Sequence, residues 1–420
     1  MKAIFKTIRE NIFTPWGLWL AFLGTLLLAA LVAGLSVFWF GLSITNLTDL
    51  VPWGLWITID LSSIAVSAGA VSLCAGVYLF GLKRYEPIAR TATFVGLIGY
   101  TMAMLALILD IGRPDRFWKS LVYWNTHSLL WEVTMCVMLY LTVLVFESMP
   151  IFASFEWLRN KYPNLAKKME GVHHSAPVLS ILGLGLSSLH QSSLGAVYGV
   201  IKARPIWYKP EMSVMFMFTA ILGGIALTLL ASMLSARLTP KAKVNDILIE
   251  RVAQFLGYLM IGYLYWRFWD WLAQTYTYEP GRTEAFELLT KGTLSFNFWF
   301  GELIFGALIP TFILLYKPTR LSPFWRMLGL AMIVGGVVAF RFDTNMVGFL
   351  AVISYLPGEA MVSYTSYTPS LVEWAAGLGI IAYGLTAFSL GVKYLRVVDH
   401  RLTSEAHETV HVNAGEAVQA

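Results

Sequence analysis

The sequence predicts an all-α, polytopic integral membrane protein with about ten transmembrane helices. Three observations carry this. Apolar residues make up 57% of the 420-residue chain and charged residues only 13%, about half the charged share of a soluble domain. Apolar runs of roughly 20 residues, the length one bilayer crossing needs, recur from Trp16 almost to Arg396. The basic residues gather in the short loops between these runs, where they set topology. This composition excludes a soluble enzyme, and the net charge of +5 is read as a topology signal, not as nucleic-acid binding.

Taken in order, the runs place helices near 17–40, 54–81, 88–109, 128–150, 173–199, 212–236, 246–274, 296–316, 323–341 and 369–394. The first is too long for a removable leader and has no suitably placed small-residue cleavage site, so it reads as a retained span. The pentapeptide PWGLW opens the first and second helices, at Pro15 and Pro52, with Pro near the first turn and Trp at the interface. Helices 4 and 8 each carry a carboxylate soon after their start, Glu132 and Glu302. This correspondence suggests two four-helix bundles, helices 2–5 and 6–9, flanked by helices 1 and 10. The loops 110–127 and 342–368 are aromatic-rich and read as ordered lids or docking surfaces; Met346 to Leu356 is too short to span and suggests an interfacial or re-entrant turn. The chain then divides into an amino-terminal segment 1–16, a membrane domain 17–396 and a polar tail 397–420.

Of thirty Lys and Arg, eighteen fall on the side of the amino terminus, eight on the opposite side and four within spans. The positive-inside rule then places both termini in the cytoplasm of a bacterial or archaeal membrane. Depth follows from this orientation. Asp60, Asp110, Glu132, His190, Arg267, Asp270, Glu302, Arg341 and Glu373 all fall in the outer leaflet, whereas the inner half carries almost no charge. Each costs several kcal/mol inside a bilayer and is a functional candidate by default. Together they suggest one polar, water-accessible pocket near the outer surface. The local alternatives are interfacial residues at helix ends, a plain i,i+3 ion pair for Arg267 and Asp270, and a packing histidine for His190.

Such a pocket suits a quinone, whose carbonyls need donors and whose hydroxyls need proton acceptors. In helix 5 the string LHQSSLG gives Ser187, His190 and Gln191 one polar face. Asp60, Glu132, Asp110 and His190 are the candidate catalytic residues. His190, Gln191, Asp60, Trp53, Arg113 and His127 are the candidate quinone contacts, with Arg267, Asp270, Glu302, Arg341 and Glu373 as a second-bundle polar cluster. Haem is not expected, because two facing histidine pairs are needed and only His190 lies well inside a span. Cys74 and Cys136 supply neither a metal site nor an iron–sulfur ligand set, so any cluster belongs to a partner. The stripes Asp60, Ser63, Ser67, Cys74 and Glu132, Cys136, Tyr140 support either a water path or close helix packing.

PWGLWITIDLS at 52–62, LDIGRPDRFW at 109–118, Glu132 in SLLWEVTMC, LHQSSLG at 189–195, FWFGE at 298–302, Arg341 and TPSLVEW at 368–374 resemble the NrfD/polysulfide-reductase-type membrane subunits. The resemblance is to the ten-helix branch that contains the HybB-like, DsrP-like and QrcD-like subunits, and it covers nearly the whole membrane region. It implies a haem-free subunit that binds menaquinone or a related quinone near the periplasmic face. It also implies electron exchange with a periplasmic four-cluster iron–sulfur subunit, itself connected to a catalytic or multihaem cytochrome c subunit. The longer, more apolar 342–368 loop resembles the sulfur-metabolism or quinone-reductase branches more than the hydrogenase subunits. The rival readings are a secondary transporter of a small ion or solute, which would hold its site near the midplane, and a structural anchor, which would not need nine buried ionisable groups.

Overall fold

The computed structural model describes residues 14–78 and 81–400. Lys2, Lys6, Arg9, Arg401 and the tail from Ser404 lie outside the described residues. The ten long helices are α1 (Pro15–Phe40), α2 (Leu55–Tyr78), α3 (Glu86–Asp110), α4 (Leu129–Phe152) and α5 (Ala176–Gly199), then α6 (Met212–Leu238), α7 (Asp246–Tyr276), α8 (Asn297–Leu315), α9 (Pro323–Leu350) and α10 (Leu371–Tyr394). Among the described residues nine are long and apolar enough to cross a membrane, α2 being apolar enough only over the shorter stretch Leu55–Ala70. The chain is an all-α, multi-pass integral membrane protein.

Local chemistry sets the helix starts. Thr14 accepts the Gly17 amide at 3.0 Å ahead of Pro15, Ser128 accepts that of Trp131, and Asn245 accepts that of Leu248. At α10, Ser370 and Glu373 form a reciprocal capping box. Trp19 Nε1 donates to Ser389 at 3.1 Å and the Lys393 ammonium sits 4.5 Å from the Trp16 ring. Both described chain ends therefore lie at one face, called here the terminal face; the other is the far face.

Helices α2–α5 pack around one another, as do α6–α9, and α6 and α9 lean on α2 to join the two bundles. The joint is close because glycine stands at it: a Cβ on Gly69 of α2 would lie 1.7 Å from the Ala220 carbonyl oxygen of α6. The flanking helices α1 and α10 pack on each other, against the first bundle, and α1 turns Leu28, Val32 and Trp39 outward.

Three segments depart from expectation. Helix α9 runs nine residues beyond the expected end at 341, because Asp343, Thr344 and Asn345 are buried and their side chains or carbonyls are bonded to neighbouring helices. No re-entrant turn follows. Ala351–Leu356 and Glu359–Tyr364 form an antiparallel hairpin, β1 and β2, turning at Gly358 with φ +89°, the left-handed conformation that favours glycine. Helix α8 is wound as a π-helix from Asn297 to Leu308. At the terminal face, residues 396–400 are pinned: Val397 and Val398 are buried, and the Lys243 carbonyl accepts the His400 amide at 2.8 Å.

Candidate functional site

The nine expected residues do not share one pocket; hydrogen bonds sort them into three groups. The first lies in the far half of the α2–α5 bundle. His190 is fully buried on α5, and its Nδ1 is hydrogen-bonded to the Tyr100 hydroxyl of α3. The Tyr100 ring meets that of Tyr140 edge-on at 4.5 Å. Nε2 of His190 has no protein partner. One turn on, Ser193 donates to Glu132 at 2.7 Å. On α2, Asp60 is buried with Oδ1 unpartnered, and it interacts electrostatically with Asp110, Tyr100 and Tyr198. Asp110, at the end of α3, likewise has a buried, unpartnered Oδ1.

Arg341, placed by the sequence reading in the second-bundle cluster, stands on α9 of that bundle and reaches this first group through Gln191. Because α9 continues past it, its guanidinium is held inside the protein. Nη2 donates to the Phe216 carbonyl at 2.7 Å, to Thr219 at 3.1 Å and to Gln191 Oε1 at 3.3 Å. The group stacks 3.7 Å from the Phe216 ring centre, a cation–π contact. It is 0% exposed, makes no ion pair among the described residues, and leaves Nε and Nη1 without partners. One turn further, Asn345 accepts from Tyr198 and donates to the Trp53 carbonyl at 3.1 Å, so Trp53, packed edge-on against Tyr198, borders the same region.

The second group is an ionic network of the other bundle. Arg267 of α7 makes a bidentate pair with Glu302 of α8 at 2.7 and 3.1 Å and also binds Asp270. Asp270 is shared with Lys209, and Tyr263 donates to Glu302 at 2.6 Å. Two cations thus meet two carboxylates, the arrangement that makes buried charge tolerable. Asp343, which the sequence reading missed, accepts from Asn297 at 2.7 Å; its Oδ2 and Gln274 Oε1 are unpartnered beside a cavity of about 30 Å³, room for about one water.

Glu373 forms the third, and it acts electrostatically on Asp110 of the first. It accepts the Asn46 amide at 2.9 Å, the Ser370 amide at 2.8 Å and the Tyr367 hydroxyl. It caps α10 and ties it to the start of α2, so it does not join the second-bundle cluster. Burial, together with the hydrogen bond donated to Glu373, pushes the Tyr367 phenol up. Arg113 and His127 are exposed in the far-face loop. Arg113 pairs with Asp115 at 3.1 Å and holds that carboxyl below its usual range.

The terminal half also departs from expectation. Arg90 within α3 and Glu147 within α4 border a cavity of about 520 Å³ near that face. The sequence reading passed over both because each sits within two turns of a helix end. Among the described residues no group of His, Cys, Asp or Glu is arranged to hold a metal ion.

Fold and site together define a class: a polytopic helical membrane protein with clusters of buried polar residues between its helices. The family model described as "Polysulphide reductase, NrfD" matches residues 43–352, and the chain belongs to that family. It is 30% identical over 392 residues, covering 90% of this chain and 91% of the relative, to the menaquinone reductase integral membrane subunit of Nitratidesulfovibrio vulgaris. The Hdr-like menaquinol oxidoreductase integral membrane subunit of Archaeoglobus fulgidus is 27% identical, covering 87% and 90%. The probable Ni/Fe-hydrogenase 2 b-type cytochrome subunit of Escherichia coli is 26% identical, covering 86% and 87%.

Proposed function

We propose that the chain is the quinone-binding membrane subunit of a respiratory oxidoreductase complex. The carrying observation is the set of buried polar atoms left without protein partners around His190: His190 Nε2, Asp60 Oδ1, Gln191 Nε2 and Arg341 Nε and Nη1. Buried polar groups are nearly always satisfied, and leaving one unsatisfied costs about 1–3 kcal/mol. A concentration of them is therefore a binding site waiting for complementary atoms. A quinone fits this donor and acceptor set: two carbonyl acceptors for nitrogen donors, and two hydroxyls for a carboxylate and an imidazole. The names of the relatives, a menaquinone reductase subunit and a menaquinol oxidoreductase subunit among them, favour menaquinone.

A bound quinol supplies two electrons and two protons on oxidation, and a quinone takes up the same on reduction. The chain's own residues hold and move the protons. With the Tyr100 hydroxyl donating to Nδ1, the His190 proton sits on Nε2, which donates to a carbonyl oxygen; as that proton leaves, Nδ1 takes the Tyr100 proton so that the imidazole stays neutral, and both transfers reverse when a hydroxyl returns its proton to Nε2. Asp60 takes the second proton, and Asp110 and Glu132 exchange it with the far face. Gln191 and Arg341 orient the ring oxygens, and the Arg341 charge stabilises negative charge developing there. The far face is the periplasmic side, and electrons pass to the nearest cluster of an iron–sulfur subunit docked on the loops 110–127 and 351–364. The transporter reading gains nothing from the Arg267–Asp270–Lys209–Glu302 network of the second bundle, whose charges are mutually paired.

The test is His190→Gln and Asp60→Asn in the intact complex. Each lowers quinone-linked turnover at least about a hundredfold, the lower end for losing a positioned acid or base, while subunit assembly is unchanged. Wild-type turnover in both variants contradicts the proposal.

A further inference from the structure

The quinone site leaves unused the cavity of about 520 Å³ at the terminal face. Its walls are the first turns of α3 and α5, the last turns of α4, the segment 154–173, and Arg396 and Asp399 beyond α10. Several of its charges are already matched. Arg159 pairs with Glu170, Asp399 acts electrostatically on Arg90, and Glu86 lies 3.8 Å from His173, a match only while that histidine is protonated. Three groups remain underserved. Among the described residues the Arg90 side chain makes one hydrogen bond, a long one of 3.4 Å from Nη2 to the Pro150 carbonyl, and its buried Nε has no partner. Arg396 makes no ion pair among the described residues. Glu147 accepts only from Ser180, at 3.4 Å, and its Oε2 is buried and unpartnered. Arg90 and Glu147 face one cavity without pairing.

The backbone adds positive character. Helices α3 and α5 both begin at this cavity, and neither N-cap residue, Tyr85 or Ser175, bonds its side chain to the first turn. The Glu86 and Ala176 amides are already bonded, to the Lys83 and His173 carbonyls, and Pro87 and Pro177 carry no N–H, so what the two starts add is the helix dipole, which favours an anion. The volume is in the range of small-ligand sites. Beside the cavity-lining Leu179 and Ser180, α5 presents Val178, Ile181 and Leu182, each at least half exposed, an apolar track suited to an acyl chain.

We propose that this cavity binds a phosphate group carrying a nearby ammonium, the chemistry of an ethanolamine phospholipid headgroup, with the phosphate at Arg90, Arg396 and the helix starts and the ammonium at Glu147. Bound there, the headgroup locks α3, α4 and α5 at the end opposite the quinone site. The same phosphate chemistry is available from the bilayer and from solution, and the experiment separates the two.

The complex is purified in mild detergent, washed extensively, and its retained phospholipid identified by mass spectrometry and quantified by phosphorus analysis. One ethanolamine phospholipid per chain is expected in the wild type. Arg90→Gln lowers retention about tenfold, as expected for losing a charge-assisted bond, Arg90→Lys largely keeps it, and Glu147→Gln shifts the retained class away from ethanolamine. Retention of no lipid, with millimolar inorganic phosphate raising the melting temperature of the wild type but not of Arg90→Gln, assigns the same site to free phosphate. Retention in Arg90→Gln equal to wild type, or neither lipid nor phosphate response in the wild type, overturns the proposal. Quinone-linked turnover in Arg90→Gln separates this from the quinone reading, since that site lies in the other half of the bundle.

Discussion

A guanidinium with no counter-charge, stacked on an aromatic ring in the middle of a protein, is a costly feature, and Arg341 is one. Its three acceptors, the Phe216 carbonyl, Thr219 and Gln191, are neutral, so they ease desolvation without neutralising the charge. The account assigns this cost to function. Arg341→Met keeps the volume and removes the charge; it is expected to leave assembly and detergent melting near wild type while lowering quinone-linked turnover about tenfold or more, in the manner of a lost electrostatic stabiliser. Steady-state kinetics beside a melting curve check both halves. At this scale much was legible. Asp60 and His190 stand out because an ionisable group interrupts an apolar run. Tyr100 and Tyr140 were not picked out as a pair flanking His190, because a tyrosine in a membrane helix reads equally as packing or interface. Asp343 was missed because the helix was taken to end two residues before it, which left RFDTN in a loop.

Apart from the end of α9, the boundaries of the helices followed from hydropathy to within a few residues, but their internal geometry did not. Nothing in the periodicity of FWFGELIF announces a π-helix, yet that winding sets the register of Glu302 against Arg267. π-helical turns are frequent at functional sites; here the π-segment carries a structural ion pair. Removing one partner of a buried pair costs about 3–5 kcal/mol, so Glu302→Ala is expected to reduce the accumulation and melting temperature of the complex sharply, whereas Glu302→Gln, which still accepts from Arg267 and Tyr263, loses less. The ratio of turnover to assembled complex is expected to hold in both, measured as activity per bound partner. The segment after α10 has its own signature. Burial pushes the His400 imidazole down to about 4, and its Nδ1 accepts the Asn245 amide at 3.0 Å. The folded chain therefore binds fewer protons than the unfolded one between pH about 6.5 and about 4, and the contact weakens as pH falls through that window. Hydrogen exchange at the Asn245 amide is expected to accelerate on acidification in the wild type and to be fast at all pH values in His400→Ala.

Two bundles joined at glycine-lined crossings give the molecule a stiff frame in which polar residues from α2, α3, α5 and α9 meet between helices. The bundle division was legible from paired carboxylates in corresponding helices, although those carboxylates serve different ends: Glu132 accepts from Ser193 beside His190, while Glu302 closes an ion pair. The hairpin and the terminal cavity were not legible, because both depend on which distant segments the frame brings together. Topology is testable at this scale as well. With the far face periplasmic, single cysteines placed at Lys202 or Glu279 react with an impermeant thiol reagent added outside intact cells, and one at Lys241 does not. The central claim concerns where the quinone binds. A photoreactive quinone analogue cross-linked to the intact complex, with the adducts mapped by mass spectrometry, tests it most directly. The account predicts adducts on peptides of α2, α5 and α9 near Asp60, His190 and Arg341, suppressed by excess quinone. Competable adducts confined to α7 and α8, or to the terminal face, would contradict it.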